Sequence, residues 1–240
     1  MGLNTGLGNL QSRLDDRQKK IESSRNRLRL GDGDRAAIRF ISSAEEFYVP
    51  NVHSVEDVVS KGTKFWRRIV CTDADDCTLC LKGVQKAERI YVWVWVRYIL
   101  HKKMVEGRDW DQVKSKAGDV YYKEEVNAPK VLETGIGKGR NIAMKFINAN
   151  AEYGTLNDRE YTWSRSGGGM DTLYDLMPGK EGKFDHQDED VVKGLDSLEN
   201  VVKAGNDDLP STNKPAVSSQ ATEDAVSSSH DDGPDSGELF

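Results

Sequence analysis

Ile90-Tyr91-Val92-Trp93-Val94-Trp95-Val96-Arg97-Tyr98-Ile99-Leu100 is rich in β-branched and aromatic residues and alternates along its length. Successive side chains of an extended strand point to opposite faces. The stretch therefore reads as a long strand, with Tyr91, Trp93, Trp95 and Arg97 on one face and Val92, Val94, Val96 and Tyr98 on the other. Two readings of its rings are open. Central strands bury such residues in a core, and flat rings beside cations also stack nucleic-acid bases.

Shorter strand signals flank it. Ala36 to Ile41 and Phe65 to Val70 precede it, the second ending at Cys71. Asp119 to Tyr122 and Lys130 to Glu133 follow. Glu160 to Arg165 and Met170 to Met177 read as a hairpin across Ser166-Gly167-Gly168-Gly169. Gly139 to Tyr153 reads as a helix, with Ile142, Phe146, Ile147 and Asn150 along one stripe and Gly154 as its stop. The expected class is mainly β with some α.

The 240-residue chain is 37% hydrophobic, with a mean hydropathy of -0.67. That is low for a chain folded throughout. Its charge is divided. Residues 181–240 hold 15 Asp/Glu and 4 Lys, a net -11, while residues 1–180 hold 30 Lys/Arg and 25 Asp/Glu, a net +5. A weakly basic body thus carries an acidic tail, which the whole-chain pI of about 5.4 conceals. Three regions are expected: a basic arm at 1–33, a folded core at 34–180, and a disordered acidic tail at 181–240 ending in Phe240. Within the tail, Val191 to Val202 carries the pattern of a short amphipathic helix. No apolar run is long enough to span a bilayer, and the first twenty residues lack a secretory signal's apolar stretch. The expected location is the cytoplasm.

The only three cysteines form Cys71-x5-Cys77-x2-Cys80, and His53 lies upstream. An odd number of clustered thiols argues for metal rather than a disulfide framework. The C-x2-C knuckle puts two sulfurs on one turn, and His53 with Cys71 supplies two more ligands in a subdomain spanning about residues 50–85. His101 is the rival fourth ligand. A full His/Cys3 shell on Zn2+ leaves no open position, so one structural zinc is expected and no catalysis.

Cations and rings are interleaved in the remaining segments. Trp66-Arg67-Arg68, then Trp93, Trp95, Arg97 and Tyr98, then Tyr121-Tyr122, and finally Tyr161, Trp163 and Arg165 form a candidate single-strand-binding surface. Gly135-Ile136-Gly137-Lys138-Gly139-Arg140 opens the predicted helix and offers a basic loop to phosphates through Lys138 and Arg140. Its spacing matches neither a Walker loop nor the dinucleotide fingerprint. Asp231, Asp232, Asp235, Glu238, Leu239 and Phe240 make an acidic run closed by an apolar pair, suited to a partner's pocket. The tail is also long enough to fold back and compete for the basic groove.

These features resemble the single-stranded-DNA-binding proteins of tailed phages related to the T-even helix-destabilising protein. The resemblance rests on His53, Cys71, Cys77 and Cys80, on Tyr91-Val92-Trp93-Val94-Trp95, and on the segments Asp158 to Tyr161 and Gly169 to Tyr174. The acidic tail ending in Phe is similar to that of bacterial and phage single-strand-binding proteins. The resemblance implies an OB-fold barrel with an inserted zinc subdomain and cooperative, sequence-neutral binding of single-stranded DNA. It implies self-association through the N-terminal arm, and a tail that recruits replication and recombination proteins such as a polymerase, primase-helicase or helicase loader. Here the gap from Cys71 to Cys77 is shorter, and that from His53 to Cys71 longer, than in the T-even type. Two other classes compete: a zinc-ribbon transcription or RNA-binding adaptor, and a zinc-dependent nuclease, which would need an open metal position.

Overall fold

The computed structural model describes residues 26–58, 64–73, 75–136, 142–168, 171–182 and 189–203, with only backbone described at 57, 58 and 64–66. These residues form strands β1 (Arg35–Phe40), β2 (Asn51–Val58), β3 (Lys64–Val70), β4 (Lys86–His101), β5 (Asp111–Lys114), β6 (Val120–Gly135), β7 (Arg159–Ser166) and β8 (Leu173–Glu181). The helices are α1 (Thr78–Leu81), α2 (Ile142–Tyr153), α3 (Glu189–Lys193) and α4 (Leu198–Lys203). The chain is mainly β, as its alternation predicts. Among the described residues, no helix is long and apolar enough to cross a membrane.

β4 is antiparallel to β1 on one edge and to β6 on the other. After α2 the chain returns to lay β7 against the free edge of β1, and β8 follows beside β7. The spatial order β7-β1-β4-β6 is a Greek key, with β2 and β3 inserted between its first two strands. β2 pairs with the start of β4 through Asn51–Glu88, Val52–Ala87 and His53–Lys86.

The expected barrel does not close. Among the described residues no pairing joins β8 to β5 or β6. The edge of β6 that closure would need is occupied. Val131 donates to the Asn26 carbonyl at 2.6 Å and accepts from the Leu28 amide at 2.9 Å, and β5 pairs along Val120 to Lys123. Of residues 26–33, placed in the basic arm by charge, Arg27 makes an isolated bridge to Val131 of β6 and Leu30 is buried in the core.

A bulge corrects the two-face reading of β4. The register shift against β1 leaves Arg97 as an extra residue, whereas against β6 two residues, Val126 and Asn127, stand opposite it, Asn127 with a left-handed φ of 42°. The shift reverses the alternation. Ile99, not Tyr98, continues the row of Val92, Val94 and Val96. That row packs with Ile38, Phe40, Leu132, Tyr161 and Trp163 beneath Ile142, Phe146 and Ala149 of α2. Phe40 meets Phe146 and Tyr161 edge-on, and Trp163 is stacked on Tyr174 at 5.1 Å. The buried stripe of α2 is therefore 142, 146 and 149, and Ile147 is 58% exposed.

The opposite face of β4 has its own small core. Tyr91 and Trp93 pack with Val52 and Val131, joined by Leu198 and Val202 of α4. The amphipathic pattern at Val191 to Val202 within the expected disordered tail is helical, as two short helices rather than one. Leu195, Leu198, Val201 and Val202 recur at helical spacing and seat on the aromatic rings. Gly194 separates α3 from α4, and the Ser197 hydroxyl accepts the Asn200 amide at 3.2 Å, capping α4.

Trp163→Ala is expected to lower unfolding free energy by about 3–5 kcal/mol, as for other buried aromatic truncations. Ile147→Ala should change it by no more than about 0.5 kcal/mol. Urea unfolding of both variants checks the assignment of the two side chains.

Candidate metal centre and nucleic-acid interface

Three elements converge at one end of β4. β2 presents His53, Cys71 follows β3, and Cys77 and Cys80 flank the first turn of α1. All four donor atoms lie within 4.8 Å of one another. His53 Nε2 is 3.5 Å from the sulfurs of both Cys77 and Cys80, and Cys71 Sγ is 3.8 Å from Cys77 Sγ and 3.5 Å from Cys80 Sγ. A tetrahedral ion with bonds of about 2.3 Å to sulfur and 2.0–2.1 Å to nitrogen separates its ligands by roughly 3.6–3.8 Å. The residues fit such an ion, and the cluster could hold one.

The surroundings favour ligation. His53 is fully buried, and its Nδ1 lies 3.0 Å from the Val84 carbonyl. A proton on Nδ1 donated to that oxygen leaves Nε2 free to bind metal. The Asp73 amide donates to Cys71 Sγ at 3.4 Å, and Lys86 and Asn51 both bond the Asp73 carboxylate, tying the loop to β2 and β4. Backbone amides of Cys80 and Leu79 draw the Cys77 thiol down to about 6, whereas burial pushes the Cys71 thiol up to about 12. His101 is elsewhere. It lies between Asp34 and Glu124, 3.0 Å from each, stacked on Trp110 at 4.1 Å.

The expected DNA-contacting residues separate into groups. Tyr161 and Trp163 are 0% and 2% exposed in the core under α2 and offer no face to a base. Arg165 clamps the chain, donating to the Leu30 carbonyl at 2.5 Å. Tyr121 is buried with Arg35 and Lys102 over its ring, and Trp95 is buried opposite Arg39 and Pro129. The four rings are buried in this structure, and Arg165 is half-buried. Trp93 is buried as well, but by α4: its indole donates to the Asp196 carbonyl at 3.1 Å.

Arg67 and Arg68 point to opposite faces by strand alternation, and only Arg68 shares a face with Val52 and Val70 beside Tyr91. Arg97 pairs with Glu160 at 2.5 Å and lies over Tyr98, which also carries Lys123 on its ring. Tyr122 is half-buried opposite His101. Trp66 stands opposite Glu56, with its side chain outside the described residues. Lys138, Arg140, Asp231, Asp232, Asp235, Glu238, Leu239 and Phe240 also lie outside them.

Sequence reasoning missed Tyr48, Arg27 and Arg89. Tyr48 bridges to Tyr91 through mutual backbone bonds of 3.0 and 2.8 Å, with the two rings 6.3 Å apart. Arg27 lies over Tyr91 at 5.9 Å and pairs with Glu133 at 2.9 Å. Arg89 belongs by alternation to the Tyr91 face and borders a cavity of about 340 Å3 with Thr134, Gly135, Ile142 and Tyr174. The position of Arg89 two residues before Tyr91 was the available signal. No protein-family model matches the chain, and no curated protein matches its sequence.

Metal binding to this cluster must displace the Cys71 proton, because its thiol is protonated at neutral pH without an ion. Titrating metal into stripped protein in weak buffer at pH 7 is expected to release at least one proton per ion bound. Cys77→Ser should lose the ion, and with it part of the protein's thermal stability.

Proposed function

We propose that the chain is a sequence-nonspecific single-stranded-DNA-binding protein acting in replication, recombination and repair. The observation that carries the reading is the face of β4 turned away from α2. Tyr48, Tyr91 and Trp93 lie together there, with Arg27 and Arg68 close by. Rings stack bases of any sequence and guanidiniums neutralise phosphates. The Greek key β7-β1-β4-β6 with β8 beside β7, open at one seam, is consistent with an OB-type fold, whose sheet face binds oligonucleotides. Thiolate and imidazole donors at tetrahedral spacing suit a structural zinc. A complete four-ligand shell on that zinc argues for a scaffold and against a zinc hydrolase. DNA rather than RNA, a cytoplasmic location and recruitment of replication proteins through the acidic tail follow from the phage resemblance.

In the closed form α4 occupies the rings. Bases gain them only when Leu198 and Val202 lift away, and the apparent affinity is reduced by the closed fraction. Leu198→Asp with Val202→Asp in the full chain is expected to tighten single-strand binding, about tenfold for each 1.4 kcal/mol by which the seat favours closure. Weaker binding by this variant would remove the covered face from the interface.

Tryptophan-fluorescence titration with matched single- and double-stranded DNA, on zinc-loaded and zinc-stripped protein, tests the function itself. Single strands should win. Log affinity should fall linearly with log salt, with a slope of about -0.7 per phosphate contacted. A salt-independent affinity, or a preference for the duplex, would sink the reading.

A further inference from the structure

Tyr91 is fully buried, yet the charges that act on its ring edge are unequal in number. Arg27 lies over it at 5.9 Å, and Arg68, Arg89 and Glu133 are on the same face of the sheet. Strand register explains the convergence. Tyr91 is opposite Glu133 and Arg89 is opposite Gly135, so all four positions share one face of the β4–β6 pair. Arg27 reaches the same face from the segment laid along β6, and Arg68 from β3.

Glu133 serves two of the three cations. Its Oε2 accepts from Arg27 at 2.9 Å, and its Oε1 lies 3.3 Å from Arg68 Nε. Arg68 also donates to the Ser54 hydroxyl at 3.1 Å. Arg89 has no carboxylate partner among the described residues, and its Nε is buried without a hydrogen bond. Its guanidinium lies across Gly135, where a Cβ would come within 3.2 Å of Nη1. A side chain at Gly135 would press on the guanidinium and shift it by a few tenths of an ångström. Among the described residues, one carboxylate shared by two guanidiniums and a third guanidinium without a carboxylate partner leave an excess of positive charge on the face that carries Tyr91. Arginine forks match the geometry of phosphate oxygens.

We propose that Arg27, Arg68 and Arg89 form a phosphate-binding site beside Tyr91, with Arg89 as its principal ligand and Glu133 as a competing carboxylate that the phosphate displaces. On the proposed function, on which the identity of the ligand rests, the phosphate is a phosphodiester of the single strand whose bases approach Tyr48 and Trp93. The same chemistry accepts a free phosphate or diphosphate, and the test separates the two sources.

The full chain and its Arg89→Gln, Arg89→Lys and Glu133→Gln variants are titrated with single-stranded oligonucleotide over a range of salt, and separately with inorganic pyrophosphate by calorimetry. Arg89→Gln is expected to weaken oligonucleotide binding at low salt by at least about tenfold, the scale of a hydrogen bond to a charged group. It should also reduce the salt slope by about 0.7. Arg89→Lys should keep the slope. Glu133→Gln should tighten binding, since it frees Arg27 and Arg68, whereas a purely structural role for the cluster predicts that it weakens binding. Unchanged affinity and slope in Arg89→Gln, with wild type binding normally, overturn the site and leave the proposed function standing. Pyrophosphate binding that Arg89→Gln abolishes, with no oligonucleotide binding by wild type, supports the site and removes the single-strand reading. Binding of neither probe by wild type overturns both.

Discussion

Seven consecutive side chains of β4, Ile90 to Val96, are at most 6% exposed. A strand buried on both faces needs two covers, and most of the architecture supplies them. One cover is α2, which delivers Ile142, Phe146 and Ala149 onto the valine row. The other is composite. β2 brings Val52, the segment before β2 brings Tyr48, and α4 brings Leu198 and Val202. Only the first cover lies on the α2 side of the Greek key. The second is assembled from an insertion and from a segment past β8, and its pieces are short. A six-residue helix held by two buried aliphatic side chains contributes a few kcal/mol at most, by area bookkeeping. The aromatic face, which the sequence left open between core and base stacking, is therefore the one with the slighter cover.

Much of this was legible. The long strand, the strand leading to Cys71, the late hairpin and the helix after the glycine loop follow from period and turn residues. His53 and the three cysteines come together as their spacing suggested. The illegible parts have physical causes. Alternation cannot anticipate the bulge at Arg97, since a single extra residue reverses every face beyond it and depends on Asn127 in the partner strand. β2 was missed because Asn51-Val52-His53-Ser54-Val55-Glu56 carries few apolar residues; its pairing with β3 and the burial of Val52 and His53 decide it. Ring burial is a tertiary property. Trp93 and Trp163 look alike in the sequence, yet one lies under a short helix and the other in the main core. The helical pattern at Val191 to Val202 was legible, but neither its break at Gly194 nor its seat on the aromatic rings could be read from period alone.

The metal cluster and the arginine site are mechanically connected. The apolar core beside the cluster is small: Ile69 and Leu79 with Cys71 and Cys77, and Val55 and Val84 at its edge. So little buried surface cannot by itself hold a two-stranded insertion against conformational entropy. An ion joining His53 on β2, Cys71 at the end of β3, and Cys77 and Cys80 on α1 fixes those three pieces together. β3 carries Ile69 toward the cluster and Arg68, one residue earlier, toward Glu133. Strand geometry couples the two directions: a shift of β3 that moves Cys71 from the ion also moves Arg68 from the Tyr91 face. Donor atoms drawn together within 4.8 Å at one end of β3 thus lie on the same strand as a cation that faces the other side of the hairpin. An ion held by the four residues would therefore bear on the position of Arg68 through strand register alone.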